Sequence, residues 1–238
     1  MEKHSVWFKK GMRDAIPIGL GYFAVSFTFG MMAQTAGIPI FWATLISLTN
    51  VTSAGQFAAL PIIAAQGSVA ELALTQLVIN LRYSLMSFSL SQKIEPKTGV
   101  PLRMAVSYGI TDEIFGIASS HPGPVTPPYM FGIISVSAAG WTLGTLLGAV
   151  CGDILPGVIV SSLGILVYGM FIAIIVPPVR KSRPVLAAVL LSAASSIVIS
   201  YFFKSVSAGF AIIISAASSA ALTAAAAPLP DGEGEERA

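Results

Sequence analysis

The chain has 238 residues, 55% of them hydrophobic and only 10% charged, where a soluble domain carries about a quarter charged. A soluble protein this small could not hide that much apolar surface; a lipid solvent removes the difficulty. The net charge of +2 gives no indication of nucleic-acid binding, and the lone cysteine, Cys151, leaves no disulfide framework within the chain.

Charge-free stretches locate the spans. No Asp, Glu, Lys, Arg or His occurs within 15–70, 154–179, 184–203 or 205–230, and a helix needs roughly 20 mainly apolar residues to cross a bilayer. Residues 1–14 read as a basic, partly aromatic lead-in with Lys3, Lys9, Lys10 and Arg13. The apolar run that follows is too long for the core of a signal peptide and is read as an uncleaved first span, about 15–36, closed by Gly37-Ile38-Pro39. The second, about 41–65, is interrupted by Ser53-Ala54-Gly55 and Pro61 and is expected to bend or break there. Gln66-Gly67-Ser68 makes a turn, with Ser68 as N-cap and Glu71 at the spacing of a capping box. Spans three to eight follow at about 69–91, 102–120, 129–150, 157–176, 184–203 and 208–226, the fourth being the shortest and most polar. Residues 227–238 form an acidic, Gly-containing tail expected to be disordered. The fold class is therefore all-α: a polytopic membrane protein of about eight transmembrane or partly re-entrant helices, with residues 15–226 as its membrane domain.

Orientation poses a conflict. With the basic N-terminus in the cytoplasm and eight full spans, Arg180, Lys181 and Arg183 fall inside, as the positive-inside rule requires, but the loop with Lys93, Lys97 and Arg103 falls outside. If spans two and four are re-entrant or broken, both clusters fall inside. Eight full spans is the simpler expectation.

Candidate chemistry sits at mid-span. The second span carries Thr49, Asn50, Thr52, Ser53 and Gln56; the third Asn80, Arg82, Tyr83 and Ser84; the fourth Tyr108, Thr111, Asp112 and Glu113. An ionised side chain at mid-bilayer costs at least about 2.5–3.5 kcal/mol, so Arg82, Asp112 and Glu113 must face a cavity, each other or a partner. Two readings stay open: Arg82 pairs with Asp112 or Glu113 to join helices, and the amides and hydroxyls are interhelical glue; or the three clusters, at one depth, surround a shared site. Gly140, Gly144, Gly148 and Gly152 recur every fourth residue and mark close helix packing. HExxH and CxxC are absent, and neither His4 nor His121 lies where it could activate a buried nucleophile. An enzyme is thus the least supported class, and no metal or cofactor is expected.

Three segments in order, Asn50-Val-Thr-Ser-Ala-Gly-Gln-Phe, Asn80-Leu-Arg-Tyr and Thr111-Asp-Glu, resemble the AzlC-type branched-chain amino acid permeases. The first span, with Ile16-Pro17-Ile18-Gly19, fits as well, and the motifs cover roughly residues 10–150. The resemblance implies the large subunit of a two-component exporter of valine, leucine or isoleucine across the inner membrane, working with a small AzlD-type membrane subunit. On that reading Asn50, Thr52, Ser53, Gly55, Gln56 and Asn80 bind substrate. A backbone break near Ala54-Gly55 would meet the carboxylate, and the apolar side chain would rest near Phe57 and Leu60. Arg82, Asp112 and Glu113 would form the ion pair, meet the ammonium or carry a coupling proton. The rival readings are a non-transporting assembly or sensor subunit and a passive channel.

Overall fold

The computed structural model describes residues 2–152 and 182–227, with residues 169, 172, 175, 176, 179 and 180 between them. Among these, all regular structure is helical apart from an isolated parallel bridge between Ile94 and Val125. In chain order the helices are α1 Glu2–Asp14, α2 Ile16–Thr35, α3 Ile40–Thr49, α4 Ser53–Ala64, α5 Val69–Lys93, α6 Val100–Ser107, α7 Asp112–Ser120, α8 Pro127–Cys151, α9 Arg183–Phe202 and α10 Ala208–Ala226. Four described segments are long and apolar enough to cross a membrane: Ile16–Thr35, Pro127–Cys151, Arg183–Phe202 and Gly209–Ala226. Ile40–Thr49 and Ser53–Ala64 are shorter apolar helices. The sixth expected span and the acidic tail fall outside the described residues, except for isolated positions and Ala227.

The chain divides into two compact units, Met1–Gln56 with Asn80–Leu163, and Phe57–Ile79 with Gly164–Ala238. The first is organised by α2 lying along α8. The contacts advance together along both helices: Gly140 against Gly19, Gly144 against Phe23 and Gly148 against Phe27. The two helices therefore run parallel. The glycine stripe is what lets them touch, since a Cβ at Gly148 would sit 1.9 Å from the Phe27 carbonyl oxygen.

Most of the stretch read from sequence as a lead-in, Glu2–Asp14, forms a helix that docks on the start of α8. A Cβ at Gly11 would meet the Tyr129 carbonyl at 2.1 Å, and one at Gly132 the Phe8 carbonyl at 2.2 Å. Trp7 packs edge-on to Tyr129 and to His121. The Lys10 ammonium, 2.8 Å from Asp14, holds that carboxyl below the usual carboxylate value, and the Tyr129 hydroxyl donates to it as well.

At this same end the chain enters and leaves the α6–α7 segment. Glu95 N–H donates to the Val125 carbonyl at 3.0 Å and Val125 N–H to the Lys93 carbonyl at 2.8 Å, while the Lys93 ammonium caps the Ser119 carbonyl. A cleft of about 550 Å³ is shared by His4 and Trp7 with Glu95, Lys97, Thr98 and Gly99. So α6 and α7 go in and come back, and Lys93, Lys97 and Arg103, around the α5–α6 connection, lie at the same end as the N-terminal helix. The expectation of a straight fourth span is corrected. The eight-residue α6 and nine-residue α7 are roughly 12–14 Å long each, too short to cross a hydrocarbon core of about 30 Å. Their turn, residues 108–111, interrupts the helix. A core of Leu90, Ile94, Val106, Ile110, Ile114, Ala118, Val125, Met130 and Ile133 fills the space between this hairpin, α5 and α8.

In the second unit α9 and α10 pack as a pair. Ser182 and Ser207 cap them, each accepting a backbone N–H three residues on, at 3.5 Å. α10 turns Ala211, Ser215 and Ser219 inward at four-residue spacing, whereas α9 buries nothing. Apolar side chains exposed on such a helix suit contact with lipid.

Candidate functional site

The second expected span also breaks, as its composition suggested, but at 50–52 rather than at Ser53-Ala54-Gly55. Asn50 is the extended C-cap of α3, its N–H held by the Ile46 carbonyl at 2.9 Å. Thr52 supplies the first carbonyl of α4, accepting Gln56 N–H at 3.0 Å. Its hydroxyl would ordinarily cap that helix; instead Thr52 Oγ1 is buried with no hydrogen-bond partner. Ser53 opens α4, and Gly55 lies buried in its first turn rather than at the break.

Two polar networks flank this break. In the first, the Gln56 amide nitrogen donates to Ser47 Oγ at 2.9 Å, and its carbonyl oxygen accepts the Trp141 indole N–H at 2.8 Å. Ser47 Oγ continues to Thr145 Oγ1 at 2.7 Å. Gln56 is 2% exposed, and Ser47 and Thr145 are fully buried. This side chain, expected to meet substrate, ties α3, α4 and α8 together. Gln56→Leu strands the indole N–H of Trp141 and costs about 1–3 kcal/mol, expected as a lowered melting temperature of the purified protein; an unchanged melt would show the network to be dispensable.

The second network lies at the α6–α7 break. Thr111 caps α7, accepting Ile114 N–H at 3.3 Å, and Asp112 and Glu113 occupy the first turn, where the helix dipole favours acids. Arg82 of α5 meets Asp112 at 2.9 Å and lies over Tyr83, its Cζ 5.1 Å from the ring centre. The Arg82 and Asp112 side chains are 34% and 24% exposed. An ion pair in a membrane unit cannot turn that surface to hydrocarbon, so it faces water or a polar partner. Glu113 turns the other way: Tyr22 Oη lies 2.5 Å from its carboxylate and 2.6 Å from Thr111 Oγ1. With one proton to give, Tyr22 can donate to either of these oxygens but not to both at once.

The breaks are joined. The Tyr108 hydroxyl donates to the Leu48 carbonyl at the frayed end of α3, and Tyr22 stacks edge-on against Trp141 at 5.3 Å. Asn50, Thr52, Ser53, Gly55, Gln56, Asn80, Arg82, Asp112 and Glu113 all belong to the first unit, whereas Phe57 and Leu60 belong to the second. Asn80 lies partly buried two residues before Arg82 on α5. Sequence reasoning missed Tyr22, Ser47, Trp141 and Thr145. Their only signal was polarity inside otherwise apolar helices, with Tyr22 in the first of them.

The profile of the family described as AzlC protein matches residues 17–155, which contain both breaks and the Arg82–Asp112 pair. An uncharacterized membrane protein of Archaeoglobus fulgidus is 31% identical over 77% of this chain and 81% of its own length. Inner membrane protein YgaZ of Escherichia coli is 26% identical over 75% of this chain and 76% of its own. An uncharacterized membrane protein of Helicobacter pylori J99 is 28% identical over 61% and 66%. No solved structure matches the chain. With more than half of its length covered by the family profile, and helices of membrane-spanning length on either side of two broken ones, the chain is a membrane protein of the AzlC family.

Proposed function

We propose that the protein is a permease subunit that exports branched-chain amino acids across the inner membrane, with its basic end in the cytoplasm. The observation that carries this is the pair of facing helix breaks. An unpartnered buried hydroxyl, Thr52, marks one; a part-exposed Arg82–Asp112 pair marks the other. A zwitterion needs both features. The N-terminal end of α4 with Thr52 offers partial positive charge to a carboxylate, and Asp112 offers an acceptor to an ammonium. Asn50, Ser53 and Asn80 line the approach, Gly55 stands beside them in the first turn of α4, and Gln56 serves as a rigid wall. Glu113, bonded to Tyr22 rather than to a cation, is the acid that carries a coupling proton. The inner membrane is taken from the description of YgaZ. The basic residues of α1 and the cluster Lys93, Lys97 and Arg103, at one end of the first unit, support the cytoplasmic orientation, and the family resemblance supports a small AzlD-type partner. No catalytic role is proposed.

The test is export of radiolabelled valine from cells co-expressing such a partner, with variants compared at equal membrane abundance. Glu113→Gln is expected to uncouple export from the pH gradient while valine counterflow persists, and Tyr22→Phe to slow the coupled rate roughly tenfold or more. Normal coupled export by Glu113→Gln would remove the proton role. Absence of any branched-chain flux in the wild type would favour an assembly or sensor subunit; flux indifferent to a gradient would favour a channel.

A further inference from the structure

A second buried acid lies outside the site just described. Glu71 stands in the first turn of α5, in the second unit, and is 6% exposed. Half of the capping box that the sequence suggests is present: Glu71 N–H donates to Ser68 Oγ at 3.1 Å. The other half would turn the carboxylate back to the Ser68 N–H. Instead Oε1 accepts the Ser207 hydroxyl and, at 3.3 Å, the Gly209 N–H, both at the start of α10. One turn further along α5, Thr75 is fully buried and its Oγ1 has no hydrogen-bond partner.

These oxygens converge. A Cβ at Gly209 would lie 2.7 Å from Thr75 Oγ1 and 2.8 Å from Glu71 Oε1, and one at Gly67 would lie 3.0 Å from Glu71 Oε2. Glycine at both positions keeps the carboxylate's surroundings open. The ion pairs among the described residues are Lys10–Asp14 and Arg82–Asp112, so no described cation neutralises Glu71. The groups seen to touch it include Ile62 of α4, Gly67 and Ser68 of the turn, Thr75 of α5 and Ser207 and Gly209 of α10, none of which titrates; Lys204, three residues before Ser207, makes no ion pair with it. An acid buried without a countercharge is costly, and a carboxylate with two hydroxyls is an all-oxygen set suited to a hard cation.

We propose that Glu71, Thr75 and Ser207 form a binding site for one monovalent cation, H⁺ or Na⁺, distinct from the Arg82–Asp112 pair. Filling it neutralises the carboxylate and gives Thr75 Oγ1 a partner. If Glu71 only capped α10, a neutral amide oxygen would serve equally well, which separates the two roles. The proposal does not depend on the substrate assignment, because cation binding is read without transport.

The experiment is thermal melting of the purified full-length protein in nanodiscs, titrated with NaCl against choline chloride at several pH values. The wild type is expected to gain stability as the site fills. A rise with Na⁺ at fixed pH identifies sodium; a rise on acidification in choline, with nothing further from Na⁺, identifies the proton. Glu71→Gln is expected to melt like the filled wild type and to ignore the cation. Thr75→Val, which leaves the carboxylate in place, should shift the titration midpoint about tenfold toward weaker binding. A wild type indifferent to both cations would overturn the proposal, as would Glu71→Gln retaining the wild-type titration. Should Glu71→Gln fail to fold, an unshifted Thr75→Val midpoint overturns it alone.

Discussion

Gly148→Val is expected to abolish accumulation of folded protein, while Gly116→Ala and Gly21→Ala leave it intact. The reason is the parallel contact of α2 with α8. A Cβ at Gly148 would sit 1.9 Å from the Phe27 carbonyl oxygen, one at Gly144 2.1 Å from Ser26 Oγ, and one at Gly140 2.3 Å from the Gly19 carbonyl. Two of the three obstacles are backbone and cannot swing aside, so the helices must separate. In a bilayer the association of helices rests on packing rather than on a hydrophobic drive. Over-packing costs about 1–3 kcal/mol for small additions and more for a branched side chain against backbone. Gly21 and Gly116 have nothing within 4 Å of the added atom, and alanine in a helix gains about 0.8–1 kcal/mol over glycine. Monodisperse protein after mild heating, measured by size-exclusion chromatography, reports the difference. Normal recovery of Gly148→Val would mean that α2 and α8 do not meet as described.

Breaking the Arg82–Asp112 pair from one side should cost more than removing both partners. Arg82→Met leaves an acid without its countercharge, and Asp112→Leu leaves a guanidinium. Each is expected to lower stability by about 1–3 kcal/mol, less than the 3–5 kcal/mol of a fully buried pair, because both side chains are partly exposed. Arg82→Met combined with Asp112→Leu should recover most of the folded protein, since the charges are removed together. It should not recover transport, because the acceptor for an ammonium is gone. Recovered export in the double variant would make the pair structural only; continued loss of protein would give these side chains further essential contacts.

How far the sequence anticipated this arrangement depends on the range of each interaction. Charge-free stretches located α2, α9 and α10, and four-residue glycine spacing marked the packed face of α8, because both signals are local. The polar clusters of the second and fourth expected spans fell at the two breaks for the same reason. The position of the first break was displaced: Gly55 and Pro61 suggested it, yet both sit inside α4, and Asn50-Val51-Thr52 is where α3 ends. The return of α6–α7 depends on Glu95 meeting Val125, thirty residues away in the chain, which no local pattern reveals. Tyr22 and Trp141 gain their roles only from partners on other helices. Glu71 shows the same limit, since its spacing from Ser68 predicts a capping box and its carboxylate goes to α10.

In the proposed function the two breaks enclose a wet pocket that takes an amino acid. Cys151 is the chain's one cysteine, so Thr52→Cys in a Cys151→Ser background places a single thiol at the break. Reaction of that thiol with a membrane-impermeant methanethiosulfonate, slowed by valine or leucine and not by a charged amino acid, is the expected result. A thiol that never reacts, or reacts at one rate whatever solute is present, would contradict the account.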